Sequence, residues 1–382
     1  VRASERAVDQ TASSALHTPL ALSAYAGDAA CLACHQQISE SYVHTAHHLT
    51  SQVASAESIH GSFSAGANAL KTANPGLTFE MQAMPDGSFT QTANYVTRTG
   101  TLQTLTQPID LVTGSGRKGQ TYLYWAGELL FELPVSYWTV GKEWINSPGY
   151  QDGTAHFDRP IAPQCLECHA SYFESLAPPV NRFDRTKLVL GIGCERCHGP
   201  GAEHVRRERL SPQPRPGSSE EAIVNPARLD RERQIDVCAL CHAGAGEALA
   251  QPLSFKPGDV LAEYVRSPAV LPGAPLDVHT NQVQLLRESK CFLSSNMTCS
   301  TCHDTHEEQR DVAALSSKCL GCHTQKACPK YKTLPAAIKT RCVECHMPLQ
   351  HSNTLFSDNS GERLTPKVRN HRIAVYAEFT AK

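Results

Sequence analysis

Cys194-Glu195-Arg196-Cys197-His198-Gly199-Pro200-Gly201-Ala202-Glu203-His204 is the stretch on which the reading of this chain turns. On a helical turn, Cys at i and i+3 and His at i+4 share one face, so two thiols and an imidazole converge on one bulky object. A c-type haem suits that arrangement, with thioethers from Cys194 and Cys197 and His198 as proximal iron ligand. Glycine and proline then break the helix and deliver a second imidazole, His204, for another axial position.

The first five residues of the stretch define a pattern that occurs seven times, which excludes coincidence. The thiol pairs are Cys31 and Cys34, Cys165 and Cys168, Cys194 and Cys197, Cys238 and Cys241, Cys299 and Cys302, Cys319 and Cys322, and Cys342 and Cys345. The proximal histidines are His35, His169, His198, His242, His303, His323 and His346. Zinc is the competing reading, because two CxxC pairs can supply four ligands. A zinc ribbon does not require a histidine straight after every pair, so the sequence points to seven covalently attached haem c groups. Of the 16 cysteines only Cys291 and Cys328 remain; a disulfide between them and two buried thiols both stay open.

Thioether attachment implies maturation outside the cytoplasm, where disulfides also persist. No apolar run approaches the roughly 20 residues of a membrane helix, and residues 1 to 27 lack the apolar core of a signal peptide. The chain is thus expected to be a mature, exported, periplasmic or extracellular protein with no transmembrane segment. Its 35 basic and 37 acidic residues balance, and nothing suggests nucleic-acid binding.

Seven porphyrins would replace much of an ordinary side-chain core, and 24 Gly and 24 Pro suit loop-rich wrapping. The expected fold is mainly α and irregular: short helices and loops around the haems, with one β-rich, haem-free insert. Four regions follow: a 1–29 extension docked on itself or on a neighbour, the first motif and its helix at 30–60, the insert at 61–150, and a six-haem region at 151–382. Near-helical spacing of Ile38, Tyr42, Leu49 and Val53 predicts a helix over 36–58 carrying His44, His47 and His48. His44 and His48 share a face that could bind a divalent metal, but no carboxylate partner accompanies them.

Within the insert, Pro85-Asp86-Gly87 and Ala126-Gly127 each separate two strand-like runs and predict hairpins. Gly114 to Gly119 is glycine-rich like a phosphate loop, yet no helix pattern follows, so a loop between strands is expected. Ser211 to Ser219 is expected to be a surface loop, and Asn281 to Lys290 a helix.

Several phrases together resemble exported multihaem cytochromes with a cytochrome c554-like module. They are His156-Phe157-Asp158-Arg159-Pro160, Gly191 through His204, Cys291-Phe292 with Cys299 through His306, Cys342 through Pro348, and Asn370-His371-Arg372-Ile373. Relatives in that group are often fused to tetratricopeptide repeats; no such repeat is visible here. The resemblance implies mostly bis-histidine haems packed in close pairs. Eleven of the 18 histidines are not proximal, enough to give each iron a second ligand. The seven assigned as distal ligands are His47, His60, His156, His204, His279, His306 and His371; His17, His44, His48 and His351 are the remainder.

A six-coordinate iron has no open site, so the expected function is electron carriage along packed haems, with redox proteins or extracellular acceptors as partners. Head-to-tail self-association into a filament, with His17 reaching a neighbour, is an extension of that reading. The alternative is a multihaem oxidoreductase in which one five-coordinate haem acts on a small nitrogen or sulfur compound. No CxxCK motif is present to mark such an iron.

Overall fold

The computed structural model describes residues 18–210, 222–267, 276–376 and 378. His17, most of the N-terminal extension and the Ser211 to Ser219 segment lie outside the described residues. Helix accounts for 28% and strand for 23%, with several sheets, so the expectation of a mainly α chain is corrected. A CxxCH motif needs only one helical turn, as in the helices Glu195–His198 and Cys342–His346. Seven motifs therefore generate little helix, whereas strands recur along much of the chain.

The predicted helix over 36–58 is also corrected. It runs only from Gln36 to Tyr42, and a tight turn His48–Thr50 leads into a strand, β1 (Ser51–Val53). The competing force is pairing: β1 lies antiparallel to β6 (Leu111–Thr113), with Gln52 opposite Val112. Between them in sequence, β2 (Ala69–Lys71), β3 (Leu77–Ala83), β4 (Phe89–Val96) and β5 (Leu102–Pro108) form an antiparallel four-stranded sheet. Strands β3 and β4 are the hairpin expected around Pro85-Asp86-Gly87.

A seven-stranded sheet takes β1 and β6, then β7 (Gly119–Ala126), β8 (Leu129–Glu132), β9 (Val135–Trp138), β10 (Glu143–Asn146) and β11 (Arg159–Pro160). The β7–β8 hairpin turns at Ala126-Gly127, and the glycine-rich run from Gly114 to Lys118 is a loop between β6 and β7, with Gly119 opening β7. Alternating burial along β3 and β4 sends Leu77, Phe79, Met81, Phe89, Gln91 and Ala93 inward, where they join Tyr122 and Trp144 in one core. Strands β1 and β11 lie outside residues 61–150, so the sheet borrows its edges from the flanking, motif-bearing segments.

A second apolar cluster surrounds Leu166 and Phe183, and a third surrounds Ile235, Phe255, Val283 and Phe292. Beyond Phe292, Val343, Pro348 and Pro366 are the only buried apolar side chains among the described residues. The segment holding the last three motifs therefore has almost no side-chain core. Small sheets and turns hold it, including antiparallel pairing of Leu349–His351 with Lys367–Arg369. The helix expected over Asn281 to Lys290 is present as Gln282–Arg287.

Candidate functional site

The opening motif shows how local sequence builds each site. After the short helix Glu195–His198, Gly199 adopts φ +79°, a left-handed conformation that suits glycine, and turns the chain. The Glu195 carboxylate, 8% exposed, then accepts the Gly201 N–H at 2.6 Å and the Ala26 and Gly27 N–H groups at 2.8 and 2.9 Å. In return, Asp28 Oδ1 accepts the Cys194 N–H at 2.9 Å, and a Cβ on Gly193 would lie 2.6 Å from that oxygen. Two carboxylates thus clamp the approach to the first motif against the third.

Thiols of different motifs meet in the same way. Cys31 contacts Cys194, Cys168 contacts Cys241, and Cys238 contacts Cys299. Cys197 lies within range of the charges at Cys238 and Cys241, and Cys319 within range of Cys302 and Cys342. The motifs therefore form one connected series, 1–3–4–5–6–7, with the second joined at the fourth.

Four pairs of histidine rings stand at similar separations, two near-parallel, one tilted and one near-perpendicular. His35 and His204 have centroids 6.5 Å apart, His47 and His242 6.2 Å, His198 and His306 5.9 Å, and His303 and His371 6.3 Å. Metal–imidazole bonds of about 2 Å on opposite sides of one ion put the ring centroids about 6 Å apart. Each separation thus matches that of two imidazoles on one metal ion. His169 lies within charge range of His279. In every ring pair the facing imidazole comes from a different motif's segment; His204 faces His35, not His198 of its own motif.

The imidazoles are held ready for ligation. His198 Nδ1 pairs with the Val224 carbonyl at 2.9 Å, His346 Nδ1 with that of Ala374 at 2.8 Å, and His371 Nδ1 with that of Arg369 at 3.1 Å. Donation from Nδ1 leaves Nε2 as the free ligand atom. His169 Nδ1 is 3.0 Å from the Thr50 hydroxyl. Burial lowers the pKa values of His47, His169, His198, His279, His303 and His371, and brings His242 to about 4. These rings are therefore neutral, the form that binds metal.

The surroundings also fit porphyrin. Free cysteine is among the most buried residue types, yet none of the 16 here is buried. Leu32 and Leu320, each inside a motif, are 44% and 47% exposed. A thioether-linked macrocycle would cover both thiols and leucines.

Other assigned residues sit elsewhere. His60 packs on Gly116 of the β6–β7 loop, and its N–H donates to Gln120. His156 stacks on Tyr150 at 4.8 Å and pairs with Asp158 at 2.9 Å. Among the described residues, no histidine ring stands opposite His323 or His346 at the separation seen in the four pairs. His48 lies 3.6 Å from Asp28, and His351 Nδ1 is 2.7 Å from the Thr365 hydroxyl. Cys291 and Cys328 are both free, the first near Cys302 and the second near Cys345. Reasoning from sequence missed Glu195 and Asp28, since the variable positions of a motif carry no ligand signal.

Residues 146–199 match the family described as cytochrome c554 and c-prime. The chain is 26% identical over 244 residues to the multiheme cytochrome MtrA of Shewanella baltica, covering 52% of this chain and 70% of that protein. It is 27% identical over 177 residues to the C-type polyheme cytochrome OmcC of Geobacter sulfurreducens, covering 39% of this chain and 21% of that one. The crystal structure of the outer cell wall cytochrome OcwA superposes with a TM-score of 0.55 at 14% identity, over 92% of this chain and 79% of that one. Among the described residues no helix is long and apolar enough to cross a membrane.

Proposed function

We propose that this chain, a multihaem c-type cytochrome by its motifs, its family match and its relatives, carries electrons along seven covalently bound haems outside the cytoplasm. The observation that carries the reading is the set of four opposed histidine pairs, each with the gap that a bis-histidine iron requires. His279 is assigned to the iron of His169, and His60 and His156 remain proposed distal ligands without an assigned iron.

Haem c, when bound, supplies one-electron chemistry at iron. The residues of the chain set the conditions for it. Backbone carbonyls hold Nδ1 of His198 and His346 and orient each ring. Glu195 and Asp28 fix the separation of the first and third motifs. Contacts between thiols of different motifs bring attachment points close enough for short electron steps. Donor and acceptor are redox proteins or extracellular acceptors, and head-to-tail association would extend the series between copies.

The alternative, an oxidoreductase with one five-coordinate haem acting on a small nitrogen or sulfur compound, turns on His323 and His346, which no described ring opposes. A reductive titration with haem quantification tests the main reading. Seven haems and seven electrons per chain are expected; a smaller number of either contradicts it.

A further inference from the structure

From Lys318 to Arg341 the chain has six cationic residues and no acidic one, in a sequence whose overall balance is −2. The cations are Lys318, Lys326, Lys330, Lys332, Lys339 and Arg341, and in sequence they flank the sixth motif, Cys319 to His323. Successive short turns keep the segment compact: Tyr331 N–H donates to the Cys328 carbonyl, Leu334 N–H to that of Lys330, and Arg341 N–H to that of Ile338. Lys318 lies within charge range of Cys302 and Lys330 within that of Cys345, so the cations border the fifth and seventh motifs as well.

Internal structure uses only part of this charge. Arg341 pairs with Glu344 at 2.9 Å, and the Lys339 ammonium lies 5.5 Å from the Tyr331 ring. Lys318, Lys326 and Lys332 are exposed and make no ion pair among the described residues. Cys322 and His323 between them are exposed too. Like charges gathered without internal partners do not stabilise the fold, but they create a local positive field that draws and orients an anionic partner.

We infer that this basic rim around the sixth motif is a docking surface for an acidic redox protein. The inference rests on the electron-carrier reading. It selects a redox protein over a polyanionic polysaccharide because the patch includes a haem attachment site, which a redox-inert polymer has no use for. Electrostatically steered redox encounters bury little area and depend on field more than on apolar contact, which suits a rim of exposed lysines.

The test uses the full haem-loaded chain and an acidic flavodoxin as probe, with affinity measured by titration calorimetry at about 20 and about 300 mM salt. Wild-type binding should weaken with salt. K318E/K326E/K332E should lose at least about ten-fold at low salt and show a flattened salt dependence. The Gln triple variant, which keeps the polar surface, should show a smaller loss in the same direction. K71E/K142E, on the β-rich part, should change affinity by less than roughly two-fold. Haem content and absorption spectrum distinguish failure of the electron-carrier reading from failure of the docking surface. No wild-type binding, equal losses in the control, binding to heparin alone, or altered haem potential at unchanged affinity would each overturn the inference. The last of these would mean that the lysines only neutralise propionates.

Discussion

Glu195 occupies a variable position of its motif, yet its buried carboxylate accepts three backbone N–H groups that serve two motifs. Removing the acceptor leaves those donors with nothing in exchange, so Glu195→Ala should destabilise the chain by about 3 kcal/mol in denaturant unfolding, and Glu195→Gln by less. Loss of His204 should act differently, because its ring faces His35 across 6.5 Å. His204→Ala should turn one iron high-spin by electron paramagnetic resonance and leave the fold intact; an unchanged low-spin spectrum would refute the pairing. Glu132 provides a pH signature. Its side chain is 12% exposed, and burial raises its pKa to about 7 although Arg159 lies 3.2 Å away. A carboxyl raised in the folded state binds its proton there at pH values where the unfolded chain has released it. Stability therefore falls as pH rises from about 4.5 to about 7, by about 3 kcal/mol at most. Glu132→Gln should remove that slope from pH-dependent unfolding curves.

At the scale of elements, turn chemistry and alternation made the β hairpins legible: Pro85-Asp86-Gly87 and Ala126-Gly127 sit where the chain reverses. The helix over 36–58 was misread because Leu49 and Val53 fit a helical period locally, while pairing with Leu111–Thr113 converts Ser51–Val53 to strand. The motifs themselves were plain, since ligand spacing is local. Which imidazole faces which motif was not, because each partner arrives from a distant segment, as when His371 meets His303. Asp277 shows how such segments are tied. Its carboxylate accepts the Asn353 N–H, the Thr354 hydroxyl at 2.9 Å, the Ser352 hydroxyl at 3.1 Å and the His279 N–H at 2.9 Å. Asp277→Ala should cost about 2–4 kcal/mol and raise hydrogen exchange at 352–354 and at 279 together; faster exchange at only one of them would show that the two segments are not coupled.

Across the whole molecule, side-chain cores and motif clusters divide the work. The β-rich part packs around Phe79, Tyr122 and Trp144, while the segment beyond Phe292 buries only Val343, Pro348 and Pro366 among the apolar side chains described. That distribution explains why hydrophobic pattern foretold the sheets but not the arrangement of the final three motifs. The central claim is that most irons are closed by two histidines, so that the protein moves electrons without binding substrate at iron. Carbon monoxide titration of the fully reduced protein, followed by absorption, tests this most directly. The four opposed pairs and the His169–His279 assignment predict that no more than two of the seven haems bind the gas; binding to three or more would contradict the account.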